Sequence, residues 1–323
     1  MPNIYHIPAM LQETIAGLNI QSNGVYVDVT FGGGGHSKAI LQQGNDIELY
    51  SFDQDLDAYE NQKQQPDSLI GNPRWHFVHS NFRYLRHFMD YYGVQQIDGL
   101  LADLGVSFHH FDEAERGFSF RFAGSLDMRM NQAAHLTAAD IINTYDEDAL
   151  ARALYIYGEL SNSKQLARRI VAARQNEPIT RIEQLVDVLI GGKSKGGSLR
   201  TLPTGTELDI DSRYKKDFAK LFQALRIEVN DELGALREML VAARDLLRPG
   251  GRIVILTYHS LEDRIVKNFL RSGNLEGTIE KDFYGNVISP FKVLEKGAVA
   301  SDEEVSRNPR ARSAKLRVAE KKI

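Results

Sequence analysis

Residues 25–37 read Val-Tyr-Val-Asp-Val-Thr-Phe-Gly-Gly-Gly-Gly-His-Ser, and this stretch decides the fold. Val25, Val27 and Val29 alternate with polar or aromatic residues, which predicts a strand. The four glycines that follow can adopt positive φ and let backbone N–H groups approach a ligand. A helix predicted at about residues 36–43 would direct its N-terminal dipole at that ligand. The stretch therefore indicates a nucleotide or cofactor site in an α/β fold.

An acidic residue at the end of the next predicted strand supports a cofactor site. The strand at residues 46–52 leads into Asp53, about 20 residues beyond the glycines, where cofactor-binding α/β folds place an acid that accepts both hydroxyls of a ribose. A carboxylate suits a vicinal diol because it only accepts hydrogen bonds. Alternatively, Asp53, Asp55 and Asp57 cap the helix predicted at residues 56–65, an explanation that fits Asp55 better than Asp53.

The composition is that of a globular protein without thiol chemistry. The chain has 323 residues, of which 42% are hydrophobic and 25% charged, and its formal net charge is −4. No stretch approaches the about 18 apolar residues of a membrane span, and no secretory pattern is present, so we expect a cytoplasmic location. Zero cysteines exclude disulfides, thiolate metal sites and thiol nucleophiles. Adjacent His109 and His110 lack a spaced metal-binding partner, so no metal site is expected.

Strands and helices alternate in the first part of the chain. Strands predicted at residues 75–79 and 97–104 flank a helix predicted at 84–92, and such alternation predicts a parallel sheet wrapped by helices. Residues 132–190 then carry only helical periodicity. The alternation resumes with one long helix at about 217–247 and a strand at 252–257.

A helical domain is therefore predicted to be inserted into one α/β domain. The predicted boundaries are residues 1–115 for the first part of the α/β domain, 116–210 for the helical insertion, and 211–323 for the second part with its basic tail. In an open α/β sheet, ligands bind at the carboxyl ends of the strands. The candidate site residues are therefore those that follow the predicted strands.

Two further predicted strand ends carry candidate site residues. Asp103 ends a strand and is followed closely by Gly105, which favours contact with a ligand or an amine over a structural cap. His259 follows the strand at 252–257 and is a candidate for substrate contact. Ser260 is expected to cap the next helix, because Ser-x-x-Asp is an ordinary N-cap pattern.

Residues 116–122 interleave two arginines with three phenylalanines. This composition stacks on bases and binds phosphates in single-stranded nucleic acid, so Arg116 and Phe118 are substrate candidates. Alternatively, the phenylalanines pin the loop into the core. Nearby Asp127 and Arg129 form either an ion pair or a pair of substrate ligands.

The C-terminal tail is strongly basic. Residues 306–323 contain seven basic residues and one acidic residue. A solvated terminal strand with charged edges is one explanation, and contact with RNA phosphates is the other. The candidates for phosphate contact, including two lysines of a glycine-rich loop at residues 191–205, are Lys193, Lys195, Arg310, Arg312 and Lys315.

Several motifs follow one another along nearly the whole chain. They are HIPAMLQE at 6–13, TFGGGGHS at 30–37, DLGVS at 103–107, RGFSF at 116–120, LDMRM at 126–130, FQALRI at 222–227, VNDEL at 229–233, YHSLEDR at 258–264 and NPRARSAKLR at 308–317. In this order they resemble the bacterial MraW family, the ribosomal RNA small subunit methyltransferases H. Two segments depart from the usual family pattern: SFHH at 107–110 replaces SSPQ, and KKDFAKL at 215–221 replaces HPATR.

The resemblance implies a fold, a reaction and a set of contacts. The fold is a Rossmann-like α/β sheet of an S-adenosylmethionine-dependent methyltransferase with an inserted all-helical domain. The reaction is methylation of the exocyclic amine, N4, of a cytidine in 16S ribosomal RNA, with the RNA as partner inside the small ribosomal subunit and the oligomeric state left open. The implied cofactor contacts are Gly34, Gly35, His36, Asp53, Phe82, Asp103 and the position of His110.

Asp103 is the expected catalytic residue, either by accepting the hydrogens of the target amine or by anchoring the amino group of the cofactor. Two other functions compete with methyl transfer. A nicotinamide-dependent oxidoreductase would share the α/β half, but its fingerprint requires a third glycine that this chain lacks. A non-catalytic RNA-binding assembly factor would use the basic tail, but it would have no use for Asp53 together with the glycines.

Overall fold

The computed structural model describes residues 8–105, 113–191 and 202–323. The chain forms two compact units, Met1–Gly105 with Leu233–Ile323, and Val106–Glu232. The second unit extends beyond the predicted insertion of residues 116–210, because the helix Ser212–Asn230 packs against the other helices of that unit.

A seven-stranded sheet forms the centre of the first unit, in the order β3-β2-β1-β4-β5-β9-β8. Strands β1 to β5 are parallel, and β9 runs antiparallel to both of its neighbours. A separate hairpin is formed by β6 and β7. The strands are β1 (Val25–Asp28), β2 (Glu48–Asp53), β3 (Trp75–His79), β4 (Ile97–Asp103), β5 (Leu247–Thr257), β6 (Glu280–Lys281), β7 (Val287–Ile288), β8 (Phe291–Val299) and β9 (Lys315–Lys321).

Helices surround the sheet in the first unit and make up most of the second. The helices of the first part of the chain are α1 (Leu11–Leu18), α2 (Gly35–Leu41), α3 (Leu56–Gln62) and α4 (Leu85–Tyr91). The second unit contains α5 (Ala138–Thr144), α6 (Glu147–Gly158), α7 (Ser163–Arg174), α8 (Ile182–Ile190) and α9 (Ser212–Asn230). The chain then returns to the first unit through α10 (Glu232–Leu246), α11 (Ser260–Ser272) and α12 (Asp302–Arg307). These elements confirm a Rossmann-like α/β fold.

Each unit has its own hydrophobic core. All but the last residue of β4 are buried, and its side chains alternate between two apolar clusters on the two faces of the sheet. Burial on both faces is expected for a parallel strand covered by helices on each side. A third cluster, which includes Phe118, Leu154 and Phe222, belongs to the helical unit. Among residues 8–105, 113–191 and 202–323, no helix is long and apolar enough to cross a membrane.

The single long helix predicted at residues 217–247 is wrong. The chain forms two helices, α9 and α10, which are separated by Asp231 in the left-handed conformation with φ 45°. Aspartate tolerates this conformation better than most residues. Strand β5, which follows α10, also begins earlier than predicted, at Leu247. The pairing of β4 with β5 is irregular between Ile97 and Gly99, where β5 contains Gly250 and Gly251.

The basic tail does not form an edge strand. Strand β9 lies between β5 and β8, and Arg317 is 7% exposed. Its Nε donates to Asp263 Oδ1 at 2.8 Å, so this arginine stabilises the fold. Arg310 and Arg312 are exposed in a 3₁₀ helix, Pro309–Ser313, just before β9.

Candidate active site

The strand order reverses between β1 and β4, and such a reversal opens a crevice at the carboxyl ends of the strands. Here Asp28 ends β1, Asp53 ends β2 and Asp103 ends β4. Strand β5 ends beside β4 and is followed directly by Tyr258. The parallel strands thus bring three carboxyl groups and a phenol to one edge, which we call the carboxyl edge.

The glycine turn connects β1 to α2 as predicted. Gly32 and Gly34 have φ of 51° and 78°, and the Gly34 N–H donates to Phe31 O at 2.8 Å. A Cβ on Gly34 would lie 2.8 Å from Gln62 Nε2, and one on Gly35 would lie 2.9 Å from Pro8. The turn therefore needs glycine for both conformation and packing. The first backbone N–H groups of α2 have no acceptor within the helix and remain available to a ligand.

A buried chain of hydrogen bonds fixes this turn to the sheet. Ser37 Oγ donates to Asp28 Oδ2 at 2.6 Å, and the hydroxyls of Ser37 and Ser51 are 2.8 Å apart. Trp75 Nε1 donates to Ser51 Oγ at 3.0 Å. The chain of bonds thus joins α2 to β1, β2 and β3. Burial raises the pKa of Asp28, and the Ser37 hydroxyl partly offsets this shift.

Asp53 accepts two backbone hydrogen bonds at the end of β2. Its Oδ2 accepts from the Gly32 N–H at 2.8 Å and its Oδ1 from the Asp55 N–H at 2.9 Å. A carboxylate has about four acceptor positions, so two remain for a diol. Burial raises the pKa of Asp53 to about 7. Asp55, and not Asp53, caps α3, because its side chain accepts from the Asp57 N–H.

Asp103 is held by two neighbouring elements. The Tyr258 hydroxyl donates to its Oδ1 at 2.6 Å, and its own N–H donates to Thr30 Oγ1 at 2.6 Å. The side chain is 12% exposed. Burial raises the pKa of Asp103 to about 7, although the hydrogen bond from Tyr258 favours the ionised form. Asp103 therefore titrates close to neutral pH.

His36 faces Asp103 as a neutral ring. Its Nε2 lies 3.2 Å from the carbonyl oxygen of Ala9, which only accepts, so Nε2 carries the proton. Burial lowers the pKa of His36. The unprotonated Nδ1 lies 3.7 Å from Asp103 Oδ2. His36 consequently shapes the site without supplying a positive charge to Asp103.

Of the residues that follow β5, only His259 was predicted to be a site residue, and Tyr258 was missed. Its ring packs on Gly105, which has φ 131°, and a Cβ there would lie 3.0 Å from Tyr258 Cδ2. The glycine after Asp103 thus makes room for the tyrosine that binds Asp103. The sequence signal for this contact was Tyr258 directly after β5 together with Gly105 shortly after the neighbouring strand β4.

His259 serves as the N-cap of α11, so the predicted cap, Ser260, is wrong. The Glu262 N–H donates to His259 Nδ1 at 3.5 Å, and His259 Nε2 lies 3.1 Å from Glu262 Oε1. Glu262 Oε2 also accepts from the Tyr258 N–H at 3.0 Å. Both ring nitrogens of His259 thus lie against Glu262 of its own helix. The hydrogen bond from the Tyr258 backbone to Glu262 helps to orient Tyr258.

Phe82 begins a short 3₁₀ helix directly after β3. It is half-buried and packs against the apolar cluster on one face of the sheet. Asn81 fixes the turn, because its side chain accepts from the Arg83 N–H at 2.9 Å and donates to Gln54 Oε1 at 2.8 Å. Phe82 therefore lies next to the strand that ends in Asp53. His110, Lys193 and Lys195 lie outside the described residues.

Three substrate candidates have structural contacts in the helical unit. Arg116 is 8% exposed and donates to the carbonyls of Arg129 and Met130, and Phe118 is buried in the core. The burial of Phe118 in the apolar cluster of the helical unit agrees with the alternative of a loop pinned into the core by its phenylalanines. Contact of Arg116 or Phe118 with the substrate stays a prediction. Arg129 forms a two-pronged ion pair with Asp127, with both N–O distances 2.7 Å.

Replacing Tyr258 with Phe should raise the pKa of Asp103 from its value of about 7. The substitution removes a hydrogen bond that stabilises the carboxylate, and a bond of this kind corresponds to roughly one to two pH units. Carboxyl-carbon NMR of aspartate-labelled protein measures the titration, with Tyr91→Phe as a control at an exposed tyrosine. An unchanged Asp103 titration in Tyr258→Phe would show that the hydroxyl does not tune this group.

Comparison with known proteins identifies the family. Residues 3–322 match the model of the MraW methylase family. The ribosomal RNA small subunit methyltransferase H of Phocaeicola vulgatus is 55% identical over 321 residues, with 99% of this chain and 98% of the relative covered. The proteins of the same name from Parabacteroides distasonis and Christiangramia forsetii are 55% and 48% identical, each over 98% of this chain and over 97% and 98% of the relative. The resemblance predicted from the motifs is confirmed: the chain belongs to the MraW methylase family.

Proposed function

We propose that this protein transfers a methyl group from S-adenosyl-L-methionine to N4 of a cytidine in 16S ribosomal RNA of the small subunit, in the cytoplasm. The observation that carries the proposal is the carboxyl edge, where Asp28, Asp53 and Asp103 meet the glycine turn. Membership of the MraW family and the names of the relatives support a ribosomal RNA substrate.

The charge of the carboxyl edge favours this cofactor over a nicotinamide dinucleotide. S-adenosylmethionine carries a sulfonium, an ammonium and a carboxylate group and is therefore cationic overall, and when bound it supplies an electrophilic methyl group. The carboxyl groups of Asp53 and Asp103, when ionised, complement this positive charge, whereas Asp28 is fully buried. A dinucleotide would instead bring an anionic pyrophosphate next to these carboxyl groups, which would repel it. The chain also lacks the third glycine of the dinucleotide fingerprint.

The residues of the carboxyl edge and the glycine turn each contact a different part of the cofactor in this proposal. Asp53 uses its two remaining acceptor positions for the ribose hydroxyls. Gly34, Gly35 and His36 present the start of α2, where backbone N–H groups face a ligand without an intervening side chain. Phe82 offers an apolar surface to the adenine, beside the strand that carries Asp53.

Asp103 is the residue that we assign to the methyl acceptor. The lone pair of the cytosine amine is delocalised into the ring, so it must be turned toward the methyl group before it can attack. Asp103 accepts one N4 hydrogen and so orients the amine, while Tyr258 fixes the carboxylate. When bound, the cofactor would supply the methyl group to N4, and the methylated amine would then have one proton to release. With a pKa of about 7, Asp103 can take the released proton.

The decisive experiment is incubation of the protein with methyl-labelled S-adenosylmethionine and small subunits that lack the modification, followed by nucleoside analysis. We expect label in cytidine methylated on its exocyclic amine. Label in another nucleoside would refute the assigned target. Binding to the RNA without any transfer of label would instead support a non-catalytic assembly factor.

Replacing Asp103 with Ala should reduce the methylation rate by at least roughly a hundredfold, because orientation of the amine and proton acceptance are both lost. Single-turnover rates with saturating cofactor measure the effect. Asp90→Ala is the matched control, since Asp90 is an exposed carboxylate paired with Arg86. A rate near that of the unaltered protein would refute the role of Asp103.

Arg310 and Arg312 are proposed to bind RNA phosphates close to the site. Strand β9 begins with Lys315 opposite Thr257, the last residue of β5, so the preceding 3₁₀ helix lies at the carboxyl edge. Each arginine replaced with Ala should reduce the slope of log affinity against log salt by about 0.7–0.9. Filter binding to 16S RNA measures the slope, with exposed Arg271→Ala as the control. An unchanged slope would contradict the contact.

A further inference from the structure

The hairpin formed by β6 and β7 carries the most exposed aromatic side chains that the described residues contain. Phe283 and Tyr284 are 97% and 86% exposed at its tip, and Ile288 is 54% exposed. The rings of Phe283 and Tyr284 contact each other edge to face, with centroids 5.6 Å apart. Exposed aromatic groups of this kind are typical of interaction surfaces, because their burial against a partner removes apolar area from water.

The turn that presents these aromatics is tightly fixed. Asp282 Oδ1 accepts from the backbone N–H groups of Tyr284 and Asn286 at 2.9 and 2.8 Å, and its Oδ2 accepts from Asn286 Nδ2 at 3.0 Å. Gly285 has φ 86° and its N–H donates to Asp282 O. The hairpin therefore presents its aromatics in a preorganised conformation, which reduces the entropy cost of binding.

The hairpin lies at the opposite end of the sheet from the carboxyl edge. Strand β8 is antiparallel to β9, and β9 is antiparallel to β5, so β8 starts where β5 starts. The hairpin leads directly into β8, and the Lys322 N–H donates to Pro290 O at this end. Phe283 and Tyr284 therefore cannot stack on the base that receives the methyl group.

The charge of the hairpin distinguishes between a protein and an RNA partner. The hairpin segment 273–290 contains the acidic residues Glu276, Glu280 and Asp282 and one basic residue, Lys281, and it is flanked by the exposed basic residues Arg271 and Lys292. A surface that binds RNA requires an excess of positive charge, because phosphates dominate the affinity. Proteins that are themselves bound to RNA carry that positive charge. The acidic residues lie next to the exposed aromatics within the hairpin itself, which favours a basic protein surface over RNA as its partner.

We infer that the β6–β7 hairpin docks on a basic protein of the small ribosomal subunit and anchors the enzyme at a distance from its reacting base. The inference rests on the proposed function, since it takes the subunit as the substrate. The hairpin adds affinity for the assembled particle, and the carboxyl edge carries out the chemistry. Loss of the docking contact therefore raises KM for subunits without changing kcat.

The test compares binding to small subunits with binding to 16S RNA stripped of protein. The double variant Phe283→Ser with Tyr284→Ser should bind subunits at least about ten-fold more weakly and bind stripped RNA unchanged. Tyr91→Ser is the matched control, because Tyr91 is an 80% exposed aromatic on α4. Titration with S-adenosylhomocysteine verifies that each variant is folded.

A second variant tests whether the acidic residues of the hairpin contribute to docking, and it leaves the two aromatic residues in place. Glu276→Lys with Glu280→Lys should weaken binding to subunits and leave or strengthen binding to stripped RNA. Equal loss on both substrates in the aromatic variant would show that the rings stack on RNA, and no loss on either would show that the hairpin is not a docking element. Both results overturn the inference. Binding is measured without methyl transfer, so failure of the proposed reaction would be seen separately.

Discussion

The burial of carboxyl groups at the ends of three adjacent strands is the constraint on which the rest of the structure depends. Removing carboxylates from water is costly, and the chain compensates with hydroxyl and backbone donors, including Ser37 to Asp28, Gly32 to Asp53 and Tyr258 to Asp103. The folded pKa values of Asp53 and Asp103 lie near 7, above the usual range. The folding free energy that these two groups contribute is thus complete below about pH 4 and lost as the pH rises through 7.

That constraint also explains why a cationic cofactor suits this fold. A ligand that brings positive charge to the carboxyl edge offsets the cost of ionising Asp53 and Asp103 and so stabilises the protein as it binds. The hydrogen bonds from Ser37 through Ser51 to Trp75 keep the glycine turn in place before the ligand arrives. The site is therefore largely preorganised, and its charge, not its shape alone, selects the ligand.

Periodicity and glycine placement were sufficient to predict the α/β fold, the helical character of residues 132–190 and the positions of Asp53 and Asp103 at strand ends. Local patterns failed where the deciding interaction lies elsewhere in the chain. Asp231 divides a continuous helical pattern because its backbone conformation is left-handed. Tyr258 acquires its role from Asp103 on the neighbouring strand, 155 positions away. Arg116 resembles a phosphate ligand in sequence, but tertiary packing turns it toward backbone carbonyls.

The most direct measurement is calorimetric titration of the protein and its Asp53→Asn variant with S-adenosylhomocysteine between pH 6 and pH 8. The ionised carboxylate of Asp53 accepts both ribose hydroxyls, whereas the protonated form has fewer acceptor positions. We predict that affinity for the unaltered protein rises with pH and levels off above about 7, in line with the pKa of Asp53. The variant should bind more weakly and show a smaller pH dependence, because of the two carboxyl groups of Asp53 and Asp103 only Asp103 then titrates near pH 7. Equal affinity and an equal pH profile in the two proteins would contradict the placement of the cofactor at the carboxyl edge.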